Sequence, residues 1–169
     1  MKILETERLI LRQLTSDDSE FILELLNDPS FIRNIGDRNV RTIDNACSYI
    51  LNGPVASYAK NGFGLYLVLL KETGESIGMC GLIKRDVLDD VDIGYALLPR
   101  YWSKGYAVEA AQATKEYAKD VIGLKRIVAI VDPVNEPSIR LLEKLGLRYE
   151  KMVRLSADDI DLKLFGAEL

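Results

Sequence analysis

The chain has 169 residues, enough for about one domain, and 48% of them are hydrophobic and 28% charged. That balance argues against a disordered, fibrous or membrane-spanning chain, and a net charge of −4 argues against non-specific nucleic-acid binding. Histidine is absent, which removes imidazole-based hydrolysis and most transition-metal sites, so no metal is expected.

Arg8 to Leu14 alternates as a strand with Leu9 and Leu11 on one side. Thr15 or Ser16 then caps a helix, with Asp17 and Asp18 at its positive end and Phe21, Ile22, Leu25 and Leu26 at helical spacing. Asn27-Asp28-Pro29 is expected to stop that helix. Thr42 caps a second one, which Asn52-Gly53-Pro54 should break or kink. Phe63 to Leu70 and Ser76 to Lys84 read as an antiparallel hairpin, and Val91 to Leu98 as a strand ended by Pro99.

Ala107 to Ile122 is the strongest helix, with a face of small residues: Ala107, Ala110, Ala111, Thr114, Ala118 and Val121. Ile127 to Val131 is a buried strand, and Glu136 to Leu145 a helix stopped by Gly146. Two strands follow, the last at Ile160 to Phe165. The order β-α-α-β-β-β-α-β-α-β-β describes one mixed α/β domain over 1–169, with a βαβ crossover that makes one strand pair parallel.

The cysteines, Cys47 and Cys80, fit neither a disulfide framework nor a zinc pattern and read as small buried residues of a reducing compartment. Met1 to Glu5 shows no apolar signal region, and the longest apolar run, Leu65 to Leu70, is too short for a bilayer. A cytoplasmic protein without a membrane partner is expected.

Two segments have the make-up of ligand sites. In the first, Asp92 to Ala107, a strand, a short polar loop with Lys104 and Gly105, and a helix of small residues follow one another. Free N–H groups at that helix start suit an anion, although the loop is neither a P-loop nor a dinucleotide fingerprint, and an ordinary tight turn would look the same. In the second, Val131 to Leu147, Asn135 stands three residues before Ser138 with Pro137 between them. Those residues either only cap and start a helix, or also face a ligand lying along it.

The segments and their order resemble the GNAT superfamily of acyl-CoA-dependent N-acetyltransferases, and within it the RimJ/RimL branch. The likeness rests on T-E-R-L-I-L-R at Thr6 to Arg12, G-E-S-I-G-M-C-G-L at Gly74 to Leu82, the run from Asp92 to Ala110, and N-E-P-S-I-R-L-L-E-K-L-G-L at Asn135 to Leu147. The resemblance implies a splayed, mostly antiparallel sheet of about seven strands with about four helices. Acetyl-CoA would lie between the two parting strands. Its binders would be Ala96, Leu97 and Leu98 on the first strand, the turn Trp102, Ser103, Lys104, Gly105, Tyr106 and Ala107, and Asn135 and Ser138.

Many relatives place a tyrosine seven residues after the Asn to protonate the thiolate, and here that position is Leu142. The branch's likeness makes Ser138 the candidate acid, and Asp92 stands where relatives carry a glutamate base. Phe31, Tyr49, Tyr66 and Tyr95 are candidates to wall the acceptor pocket. The implied reaction moves an acetyl group to a protein N-terminus or a small amine, by a monomer or homodimer. A non-catalytic acyl-CoA-binding module is the alternative that Leu142 keeps open.

Overall fold

A computed structural model describes residues 1–169. Eight strands form one sheet: β1 (Lys2–Glu5), β2 (Leu9–Arg12), β3 (Leu65–Leu70), β4 (Ser76–Ile83), β5 (Asp92–Leu97), β6 (Arg126–Val131), β7 (Arg148–Val153) and β8 (Leu162–Glu168). Their spatial order is β1-β2-β3-β4-β5-β6-β8-β7. Every neighbouring pair is antiparallel except β5 and β6, which a helical crossover joins. The eighth strand, unforeseen in the sequence, is β1: four residues with charged ends carry too little alternation to stand out, and pairing with β2 is what makes them a strand.

β5 and β6 share register at a single pair, Asp92↔Val128, beside a bond from Val128 N to Val91 O of 3.0 Å. Beyond that pair the strands part, and a wedge opens along the rest of β5. β4 holds β5 closely on its other side. A Cβ on Gly78 would fall 2.1 Å from Ala96 O, so only glycine permits that approach.

Six helices flank the sheet: α1 (Ser19–Asn27), α2 (Pro29–Asn34), α3 (Ile43–Ile50), α4 (Ala56–Asn61), α5 (Tyr106–Tyr117) and α6 (Glu136–Lys144). Four of them, α1, α3, α5 and α6, are the main ones. Pro29 does end α1 but also opens α2. Its missing N–H is harmless at a first helical position, and Asp28 Oδ1 accepts from Ser30 N at 2.9 Å. Asn52-Gly53-Pro54 does not break the second helix either. A π-turn over Leu51–Val55 takes up Pro54 and carries α3 directly into α4, which ends at Gly62.

α5 lies on the sheet through Ala110, Ala111 and Thr114, with Ala118 beyond its end; all four are fully buried, whereas Val121 is 66% exposed and leaves the expected face. Cys80 Sγ meets Thr114 Oγ1 at 3.4 Å, which fixes Cys80 and its neighbours across the sheet, Tyr66 and Tyr95, as the α5 side. Burial pushes the Cys80 thiol up to about 12, which makes it inert.

Candidate active site

The edge of β5 that faces the wedge follows from strand alternation. Leu98 N donates to Ile77 O at 3.0 Å, so Leu98, and Ala96 two residues before it, aim their amides at β4. The amides of Tyr95 and Leu97 aim at the gap. Of the expected donors Ala96, Leu97 and Leu98, only Leu97 therefore offers a free N–H, and Tyr95 joins it. The Leu97 carbonyl is taken by Trp102 Nε1 at 2.9 Å, which lays the indole along the mouth of the wedge.

The turn from Trp102 to Ala107 contains two left-handed residues, Ser103 at φ 62° and Gly105 at φ 84°. Gly105 is the N-cap of α5, and no side chain caps the helix. The first amides of a twelve-residue helix, Tyr106 and Ala107 among them, thus have no protein acceptor and carry the positive end of its dipole. That is a fitting cradle for a phosphate. Lys104 stands beside it with its side chain unpaired.

A group the sequence left unnoticed braces this turn. Arg8 Nη1 donates to Lys104 O at 3.0 Å, and its Nε to Glu109 Oε1 at 2.8 Å. Glu109 Oε2 accepts from Arg8 N at 3.0 Å and from Thr6 Oγ1 at 2.5 Å. The Arg8 guanidinium also lies 4.4 Å from the Tyr106 ring centre. Burial raises the Glu109 carboxyl, but the bonds from Thr6 and Arg8 outweigh it and hold the group below its ordinary value. T-E-R and A-V-E-A are about a hundred residues apart, so only the resemblance of both segments to one family hinted that they belong together.

On the other side of the wedge, Asn135 Oδ1 accepts from Ser138 N at 3.4 Å and caps α6, with Pro137 in the first turn. The ordinary helix-start reading of these residues is thus realised. Ser138 does more, because its Oγ lies 2.5 Å from the phenolic oxygen of Tyr95. Burial raises the Tyr95 phenol to about 12. Tyr95 is therefore joined to the α6 start on the α5 side of the sheet.

Asp92 is three residues from Tyr95, so its side chain leaves β5 by the opposite face. It is 2% exposed and pairs through Oδ2 with Arg85 Nε at 3.2 Å. Its Oδ1 is buried with no partner. Burial raises the Asp92 carboxyl, and Arg85 opposes the rise. Tyr49 is half-buried, and burial raises its phenol against the pull of the Arg38 and Arg85 charges. Two other expected pocket residues belong to the core. Tyr66 is 1% exposed, stacked on Tyr58 and edge-on to Tyr117, and Phe31 is buried in α2. Leu142 is buried too, so no tyrosine-like role is open to it.

The family model for the acetyltransferase (GNAT) domain matches residues 8–148. The chain belongs to the GNAT acetyltransferases. It is 35% identical over 154 residues to the uncharacterized N-acetyltransferase YoaA of Bacillus subtilis (strain 168), covering 90% of this chain and 86% of YoaA. A GNAT-family acetyltransferase from Bacillus anthracis superposes with a TM-score of 0.81 at 28% identity, over 99% of this chain and 98% of that one. The fold is also that of RimL, a ribosomal L7/L12 α-N-protein acetyltransferase solved with coenzyme A, at a TM-score of 0.84 and 16% identity over 100% of this chain and 98% of RimL. This GNAT chain is an acetyl-CoA-dependent N-acetyltransferase of the RimJ/RimL type. The wedge, the uncapped α5 start and the two left-handed turn residues are the features that suit its co-substrate. No helix is long and apolar enough to cross a membrane.

Proposed function

We propose that the enzyme acetylates a primary amine by direct attack, with a protein N-terminal α-amine as the acceptor. Acetyl-CoA supplies the activated acetyl thioester. The Tyr106 and Ala107 amides and Lys104 hold its pyrophosphate, and Asn135 lies along the pantetheine. One of the two free amides, Leu97 N, donates to the carbonyl oxygen as it gains negative charge.

The acceptor ammonium carries three hydrogens and the product amide one, so two protons must leave. Asp92, through a bridging water, passes one to solvent; the other ends on the sulfur, beside Ser138. An α-amine has a pKa of about 8 and a lysine about 10.4, so the first costs a weak carboxylate base some 3 kcal/mol less to deprotonate. The raised Asp92 carboxyl is the better base for it.

The observation that carries this reading is the opposition of Asp92 and Tyr95 on β5. One strand presents a buried, half-satisfied carboxylate on one face and a hydroxyl pair on the other. Coenzyme A release in the presence of free-N-terminal peptides, polyamines and aminoglycosides tests the acceptor. Release with peptides alone supports the reading. Release with polyamines or aminoglycosides alone makes the acceptor a small molecule, and none with any of the three removes the peptide N-terminus as the acceptor. With a working acceptor, Asp92→Asn should lower kcat about a hundredfold and erase the rise of rate with pH on the acid side. Full turnover in that variant would remove Asp92 from the mechanism.

A further inference from the structure

The bond between Tyr95 and Ser138 crosses the wedge where a bound thioester's sulfur has to lie if Ser138 faces it. We propose that Tyr95 is a positioning residue for the sulfur: its phenol donates to Ser138 Oγ and so turns the Ser138 hydroxyl hydrogen toward the departing thiolate. The proposal rests on the reading of Ser138 given above.

A serine hydroxyl has one hydrogen and rotates freely. Left alone at a helix start, it turns to whichever acceptor is nearest. Ser138 Oγ has one partner in the structure, the Tyr95 hydroxyl at 2.5 Å, and either oxygen can be the donor. The Ser138 carbonyl is a weaker second acceptor for Tyr95, at 3.4 Å. When negative charge develops on sulfur, only one direction satisfies all three atoms. Tyr95 donates to Ser138, and Ser138 donates to sulfur. No proton changes owner in this arrangement, and the thiolate is held by a polarised pair of hydroxyls.

The surroundings keep the donor in place. Tyr95 stands on the strand that β4 pins through Gly78, and its backbone amide faces the same gap. Burial holds the phenol protonated throughout the range in which a thiol titrates, so the donor is never lost. Leu142, seven residues after Asn135 on the helix, offers no hydroxyl. The phenol here comes instead from the opposite wall of the wedge.

The test needs no acceptor. Coenzyme A is bound to the wild-type enzyme and its thiol is titrated by the ultraviolet absorption of the thiolate. Desulfo-coenzyme A affinity is measured in parallel by calorimetry. In the wild type the bound thiol should titrate about one unit below free coenzyme A, a roughly tenfold preference for thiolate. Ser138→Ala should abolish the shift, Tyr95→Phe should cut the preference to about threefold, and the double variant should match Ser138→Ala. Desulfo-coenzyme A should bind all four proteins within about twofold, because it lacks the sulfur the pair serves.

If Tyr95→Phe keeps the full shift while Ser138→Ala loses it, the Tyr95 proposal falls and the role of Ser138 stands. If Ser138→Ala keeps the shift, the reading of Ser138 itself falls. A loss of desulfo-coenzyme A affinity in Tyr95→Phe, with the thiol shift intact, would show that the bond only braces α6 against β5.

Discussion

α5 and α6 both begin just after a strand that borders the wedge, yet they treat their first amides in opposite ways. α6 is closed: Asn135 caps it and Pro137 removes one donor. α5 is open: Gly105 has no side chain to offer, and the turn before it holds Ser103 in a left-handed conformation that costs a non-glycine residue free energy. On the function proposed above, the helix start left unsatisfied and reached through a strained turn is the one that takes the phosphate. The capped one, on the same proposal, serves its ligand through side chains instead, Ser138 and the Tyr95 behind it. The external braces follow the same division, since Arg8 and Glu109 secure the open turn.

The sharpest way to break this contrast is Gly105→Asp. It puts a carboxylate where the phosphate should sit, and its Cβ meets Arg8 Nη2 at 3.2 Å. A carboxylate and a phosphate about 4–5 Å apart repel by about 3–4 kcal/mol, so acetyl-CoA affinity should fall at least about a hundredfold by calorimetry. Unchanged affinity would mean that the open turn is not the phosphate cradle. Arg8→Ala comes next. Arg8 is 43% exposed, so solvent screens its pairing with Glu109, and KM for acetyl-CoA should rise about fivefold with kcat nearly constant. A fall in kcat alone would place Arg8 in a different role.

Asn135→Ala sharpens the other half of the comparison. The cap is long at 3.4 Å, so the loss should be about 0.5–1 kcal/mol, or some 2 °C in Tm, with acetyl-CoA affinity changed less than in Arg8→Ala. Ser103→Gly should be the mildest change, and of opposite sign. Relief of the left-handed conformation, less the entropy glycine adds to the unfolded chain, should raise Tm by about 1–2 °C. A drop in Tm would show that the Ser103 side chain stabilises the turn.

Much of this was legible in the sequence because it depends on short-range patterns. The small-residue face of α5, the Asn135 cap and the hairpin of β3 and β4 all follow from spacing. What stayed hidden depends on partners distant in the chain. β1 becomes a strand only against β2, and Pro29 opens a helix only because Asp28 turns back to cap it. Tyr66 looks like any other aromatic until Tyr58 and Tyr117 enclose it. In the site, Ser138 and Asp92 are candidates only through the family resemblance, and the Arg8–Glu109 brace and the Tyr95–Ser138 bond join residues 101 and 43 positions apart. No local rule connects them, and the fold alone brings them together.

The contrast between the two helix starts can be read directly by following backbone amide resonances while acetyl-CoA is added to the isotope-labelled enzyme. The largest shifts should fall on Gly105, Tyr106 and Ala107, with Tyr95, Leu97 and Ser138 next. Large shifts at the α6 start with none between 105 and 107 would contradict the account.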